Sequence, residues 1–264
     1  MEFFSICNGI PVHISDSKKG DKVLLLLHGY LETLYVWQDF LTKLPQSIRI
    51  ISIDLPGHGL SGTHQTENSL EFCADVISDV LKICAVKSCY IMGHSMGGYI
   101  AIECVKKYPN LFTGLVLMHS TPYPDSAEKI KDRDREIALI KQAKLPAIAK
   151  MGIPKMFAPE NQRKFDEKIF EIVELTETHD PEGIVASIEG LKSRPDNLPA
   201  LMATETPILM FFGANDYHIT NEKAESLTRS LPAAKSVLLP NSGHNGFLEE
   251  PEVVAEELIK FMTL

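Results

Sequence analysis

Cysteine is scarce in this chain, and the five present (Cys7, Cys73, Cys84, Cys89 and Cys104) form no CxxC pair. An odd number without close pairs argues against a disulfide framework. Four of them fall in segments that read as strand or helix, where cysteine behaves as a small hydrophobe. Reduced thiols and a cytoplasmic location are the expectation. Long apolar runs are missing as well; none approaches the ~20 residues needed to cross a bilayer. The opening MEFFSICNGI has no basic segment, and Ser5, Asn8 and Gly9 interrupt its apolar residues, so it does not read as a signal peptide. Basic residues are in the minority: 26 Lys and Arg against 35 Asp and Glu give a formal charge of −9. That balance argues against a nucleic-acid partner, whose phosphates need a basic footprint, and discourages docking to anionic membranes. There is no HExxH, no Cys/His cluster with metal-ligand spacing and no Walker loop, so no metal or other cofactor is expected. Internal repeats and low-complexity tracts are absent too.

What remains is an ordinary globular composition, 44% hydrophobic over 264 residues, enough for one well-buried domain with an inserted subdomain. FFSIC and IPVHI flank Asn8-Gly9, a strong hairpin signal. KVLLLLHG and IRIISID are continuous apolar runs of strand length, the pattern of parallel strands covered on both faces. Between them Leu34, Trp37, Phe40, Leu41 and Leu44 recur at helical spacing, and core packing is the expected role of Trp37, the one tryptophan. Residues 69–86 repeat the 3.6-residue period, with Asn68 or Ser69 as N-cap. A strand (SCYIM), a helix (GGYIAIECVKKYP) and a strand (GLVLM) follow. This alternation predicts a mostly parallel α/β sheet with helices on both faces. The rhythm breaks at HSTPYPDS. From about Ser126 to Ala203 the chain is charged, helical and divided by prolines, with no buried strand. Strands return as PILMFF and KSVLL before a last amphipathic helix opened by Pro251.

One junction carries chemistry. Gly93-His94-Ser95-Met96-Gly97 matches G-x-S-x-G between a strand and a helix, where this motif makes a strained turn that presents the serine hydroxyl. A plain glycine turn is the bland alternative. A serine needs a base to become nucleophilic. Of nine histidines, His13, His64 and His179 read as surface groups, while His28, His58, His94 and His119 lie near strand ends. His244, in the Gly-rich loop PNSGHNGFLEE after the last strand, opens on the same sheet edge as Ser95. The carboxylate that fixes the imidazole tautomer is expected to be Asp216, just past another strand end, with Asp125 as the alternative. Oxyanion donors are expected from the backbone N–H groups of Met96, at a helix start, and Tyr30, after Gly29.

The order Ser95, Asp216, His244, with HGY after an early strand and DLPGHGLS after the next, resembles the α/β-hydrolase superfamily. The resemblance covers nearly the whole chain. It implies an eight-stranded, mostly parallel sheet with an inserted helical cap, dividing the chain into core (1–122), cap (123–203) and core (204–264). It also marks DLPGHGLS as a structural loop, so His58 is not assigned to catalysis. The chain has no HGGG segment, and a serine nucleophile separates it from the epoxide-hydrolase and haloalkane-dehalogenase branches. The implied activity is that of a serine esterase acting on a small or medium carboxylic ester, with a small-molecule ester as its partner. Thioester, amide, lactone or C–C cleavage, or a ligand sensor with little turnover, stay open because fold does not fix substrate. In the cap, Met151, Met156 and Phe157 are expected to contact substrate, since methionine suits adaptable apolar contact; packing of the cap onto the core is the alternative.

Overall fold

The computed structural model describes residues 1–64 and 66–263. An N-terminal hairpin pairs β1 (Glu2–Cys7) with β2 (Ile10–Asp16) in antiparallel register. Its turn places Asn8 at φ 44° and Gly9 at φ 85°, the left-handed pair a two-residue hairpin loop requires. The parallel strands follow: β3 (Lys22–Leu27), β4 (Ile48–Ile53), β5 (Cys89–His94), β6 (Phe112–Met118), β7 (Ile208–Gly213) and β8 (Lys235–Leu239). The eight strands form one sheet in the order β1-β2-β4-β3-β5-β6-β7-β8, antiparallel at the β1/β2 end and parallel thereafter. The expected fold class is therefore the observed one.

The helices are α1 (Gln38–Leu41), α2 (Leu70–Ile83), α3 (Met96–Lys107), α4 (Ala127–Ile140), α5 (Leu145–Gly152), α6 (Asp166–Glu177), α7 (Pro181–Ser193), α8 (Leu198–Ala203), α9 (Asn221–Ser230), α10 (Gly246–Glu249) and α11 (Pro251–Thr263). Ser69 caps α2, its hydroxyl accepting from Phe72 N–H at 3.2 Å. The helix read over Leu34–Leu44 is shorter than its periodicity suggests: a 3-10 turn over Leu34–Trp37 runs into the four-residue α1.

Why the strands read as unbroken apolar runs is visible in the packing. Leu25, Leu27, Ile91, Leu115 and Leu117 point into one buried cluster with α2 and α3. Their neighbours Leu24, Leu26, Met92, Val116 and Met118 point into a second with Trp37, Phe40 and α11. The middle of these strands is covered on both faces, which is why they read as unbroken apolar runs, while the edge strands β1 and β8 keep exposed positions. Between β6 and β7 the chain carries only helices, α4 to α8, and Ile137, Ile140, Leu145, Ile153 and Phe157 from this stretch join the second cluster. The cysteines are free and buried. Burial drives the Cys73 and Cys89 thiols up to about 12, which suits a packing role.

Two histidines expected at the surface are buried instead. His13 lies 2.8 Å from the Asp54 carboxylate, and His179 accepts from Gly59 N–H at 3.1 Å. Neither the hairpin position of His13 nor the polar stretch around His179 reveals this, because each ring is covered by a segment distant in sequence.

Candidate active site

Ser95 follows β5 directly and precedes α3, with φ 48° and ψ −112°. A non-glycine residue in this region is strained, and the surroundings hold it there. Its N–H donates to Met118 O at 2.9 Å, and its carbonyl accepts from Ser120 Oγ at 2.8 Å and Gly98 N–H at 3.0 Å. A Cβ at Gly93 would collide with the backbone of Gly97, and one at Gly97 with the carbonyls of Leu27 and His28. The glycines thus let strand, helix and neighbouring loop close around a serine that stays half-buried.

On the same carboxyl edge, the loop after β8 brings His244 to Asp216 after β7, with Nδ1 and Oδ2 2.7 Å apart. The other carboxylate oxygen accepts from the N–H groups of His218 at 2.7 Å and Ile219 at 3.0 Å. Burial opposes ionisation of Asp216, but the imidazoles of His244 and His119 outweigh it and hold the carboxyl well below the usual range. An ionised Asp216 accepting from Nδ1–H leaves the lone pair of His244 on Nε2, the tautomer a base needs. The His244 ring lies 4.8 Å from that of His218, which follows Asp216 by two residues.

Tyr30 sits in a tight turn closed by a 3.3 Å hydrogen bond from Glu32 N–H to Gly29 O, with Leu31 at φ 64°. The N–H of Tyr30 has no protein acceptor among the described residues. Met96 opens α3, where a backbone N–H has no intrahelical acceptor.

Other expected residues are placed less favourably. Asp125 is engaged elsewhere, 2.7 Å from Arg194 and 3.2 Å from Arg133. Met151 is 68% exposed, away from the buried apolar cluster. Met156 and Phe157 are buried, and Met156 O accepts from His244 N–H, which ties this segment to the His244 loop. His58 is buried beside His28 and His179, with ring centroids 5.3 and 5.4 Å away.

Some contacts of the site are not encoded in local sequence, although His119 stands near a strand end as expected. His119, immediately after β6, is a second imidazole on Asp216 at 3.1 Å. Gly246 N–H donates to its Nε2 at 3.0 Å, so the proton of this ring sits on Nδ1 and points at the acid. Ligand-type atoms of His119, Asp216 and His244 lie within 4.8 Å of one another, a spacing that also suits a metal, but both Nδ1 positions are taken up by hydrogen bonds to the carboxylate. Glu249 accepts from Gly243 and Ala158 N–H groups, each at 2.8 Å, stitching the His244 loop to the helical stretch. The spacing of Gly57, Gly59 and Gly62 resembles a dinucleotide fingerprint, yet among the described residues no helix begins between Gly62 and Leu70, so no helix N-terminus follows directly on these glycines.

A parallel sheet carrying a serine on a strained strand-to-helix turn, with an Asp–His pair on the same edge, defines an α/β protein of the hydrolase type. A family model described as the alpha/beta hydrolase fold matches residues 22–251, and the chain belongs to that family. Among curated proteins it is similar to a pimeloyl-[acyl-carrier protein] methyl ester esterase of Vibrio vulnificus, 26% identical over 251 residues, 90% of this chain and 93% of that one. It is also similar to a putative 2-succinyl-6-hydroxy-2,4-cyclohexadiene-1-carboxylate synthase of Bacillus subtilis, 25% identical over 98% of this chain and 97% of that one. Among solved structures, a thermophilic esterase from Thermogutta terrifontis superposes with TM-score 0.93 at 26% identity, covering 100% of this chain and 98% of that one.

Proposed function

We propose that the chain is a serine hydrolase that cleaves a carboxylic ester of small or medium size through an acyl-enzyme. The observation that carries this is the 2.7 Å His244–Asp216 pair on the sheet edge where Ser95 occupies its strained turn. The esterases among the relatives support ester hydrolysis over other bonds. In this reading Ser95 Oγ attacks the carbonyl carbon while His244 Nε2 takes its proton. The oxyanion is held by the N–H groups of Tyr30 and Met96. The tetrahedral intermediate collapses, the C–O bond breaks, and His244 returns the proton to the leaving alcohol. Water, deprotonated by His244, then attacks the acyl carbon; the C–O bond to Ser95 breaks, His244 returns the proton to Ser95 Oγ, and the carboxylic acid leaves. Asp216 stays ionised throughout and stabilises the imidazolium.

Residues 123–203 serve as the cap over this edge, with Met156 and Phe157 as the part closest to the His244 loop. The reading is tested by steady-state hydrolysis of p-nitrophenyl esters of increasing acyl length. Multiple turnover on at least the short esters, abolished in His244→Ala, is expected. Turnover that persists in His244→Ala, or none on any ester, contradicts it.

A further inference from the structure

Beneath Ser95 lies a buried pair that the proposed mechanism does not use. His94, the residue before the serine, is fully buried, and both of its ring nitrogens face acceptors. Nδ1 is 2.8 Å from Glu32 Oε2, and Nε2 is 2.8 Å from the carbonyl oxygen of His244. A carbonyl has no proton to give, so Nε2 carries one. Glu32 Oε2 also accepts from Gly29 N–H at 2.6 Å, while Oε1 is buried with no partner among the described residues. All the hydrogen bonding of this carboxylate therefore goes to the backbone before Tyr30 and to His94.

Gly29 supplies an independent observation. A Cβ there would lie 2.7 Å from His94 Nδ1 and 2.9 Å from Glu32 Oε2, so a side chain at this position cannot coexist with the pair. The remaining surroundings are His28 from the same loop, His119 after β6, Asp216 after β7 and the His244 ring 5.2 Å away, with Trp37 and Phe247 closing the rest. Glu32 is the only carboxylate in direct contact with the His94 ring among the described residues.

We propose that His94 is a doubly protonated imidazolium, ion-paired to Glu32, and that the pair is a positioning device holding the Gly29–Tyr30 turn and the His244 loop in register on either side of Ser95. This rests on the reading of Tyr30 N–H as an oxyanion donor and His244 as the base. One residue thereby touches all three parts of the machinery: Ser95 through the peptide bond, the oxyanion turn through Glu32, and the base through its own carbonyl. Burial works against charge on His94, but the Glu32 carboxylate raises its affinity for a proton, and Glu32 is in turn driven below the usual carboxylate range by His94. Both shifts favour the ion pair over a neutral pair in which Glu32 holds the proton.

The test begins with the wild-type protein labelled with ¹⁵N in histidine. At pH 8.5, about two units above the ordinary histidine value, one imidazole is expected to show both ring nitrogens protonated. In Glu32→Gln that signal is expected to vanish, and kcat for p-nitrophenyl acetate to fall about 10- to 100-fold with KM within about twofold, since only transition-state contacts are disturbed. A wild-type spectrum with no doubly protonated histidine at pH 8.5 overturns the proposal, and so does a folded Glu32→Gln with unchanged kcat. If Glu32→Gln fails to fold, the wild-type spectrum alone decides. Because that spectrum needs no turnover, its result is separable from any failure of the esterase reading.

Discussion

Asp216 receives four donors, two imidazole and two backbone, onto two oxygens, and an asparagine in its place must turn an NH₂ group toward one pair of them. Asp216→Asn is therefore expected to lower kcat/KM for a p-nitrophenyl ester by about 10³- to 10⁴-fold while the protein remains folded. Asp125→Asn is the contrasting variant. Its carboxylate lies between Arg194 and Arg133, so its loss leaves two buried guanidinium groups short of a partner. Stability is expected to fall by about 3 kcal/mol, read by urea denaturation, with kcat/KM within a few-fold of wild type. An inversion of the two activity results moves the acid to Asp125.

Among the elements, the stretch from α5 through Phe157 separates what packs from what faces water. Phe157 is 1% exposed and its ring lies 5.6 Å from that of Phe165. Phe157→Ala is expected to cost about 3–5 kcal/mol of unfolding free energy. Met151→Ala, at an exposed site, is expected to stay within about 0.5 kcal/mol and to leave acyl-length preference unchanged. A shifted preference in Met151→Ala assigns that residue to the substrate surface. The same contrast explains what could be read in the sequence. Strands buried on both faces, as in KVLLLL and GLVLM, announce themselves, and so does a cap such as Ser69. α9 announces itself less, because only Ala224 and Leu227 of its ten residues are buried and the rest of the segment is polar. Within the site, Ser95 carries a motif, and Asp216 and His244 stand at strand ends, so topology alone groups them. The contacts of His119 and Glu32 depend on rings and loops from other strands meeting in space, which no local spacing encodes.

For the molecule as a whole, buried histidines set the response to acid. Burial pushes both His119 and His179 down to about 4, against about 6.5 in an unfolded chain. Between those values the unfolded chain binds the extra protons, so stability falls as pH drops from 6.5 toward 4, by up to about 1.4 kcal/mol per pH unit for each ring. Asp216 and Asp16, both held below the usual carboxylate range, add a further loss as pH falls below about 4, the unfolded value. The urea midpoint is accordingly expected to decline steadily from pH 7 to pH 4. His179→Asn, which keeps an acceptor for Gly59 N–H but cannot titrate, is expected to make that decline shallower by up to one proton. An unchanged slope in the variant contradicts the assignment of His179 as buried and neutral.

The central claim is that Ser95 is an activated nucleophile, and a fluorophosphonate probe tests it most directly. Incubation followed by intact mass and peptide mapping is expected to show one adduct per chain, on Ser95. The adduct is expected to be absent in Ser95→Ala and strongly slowed in His244→Ala. Labelling of another residue, or labelling of Ser95→Ala at the wild-type rate, contradicts the account.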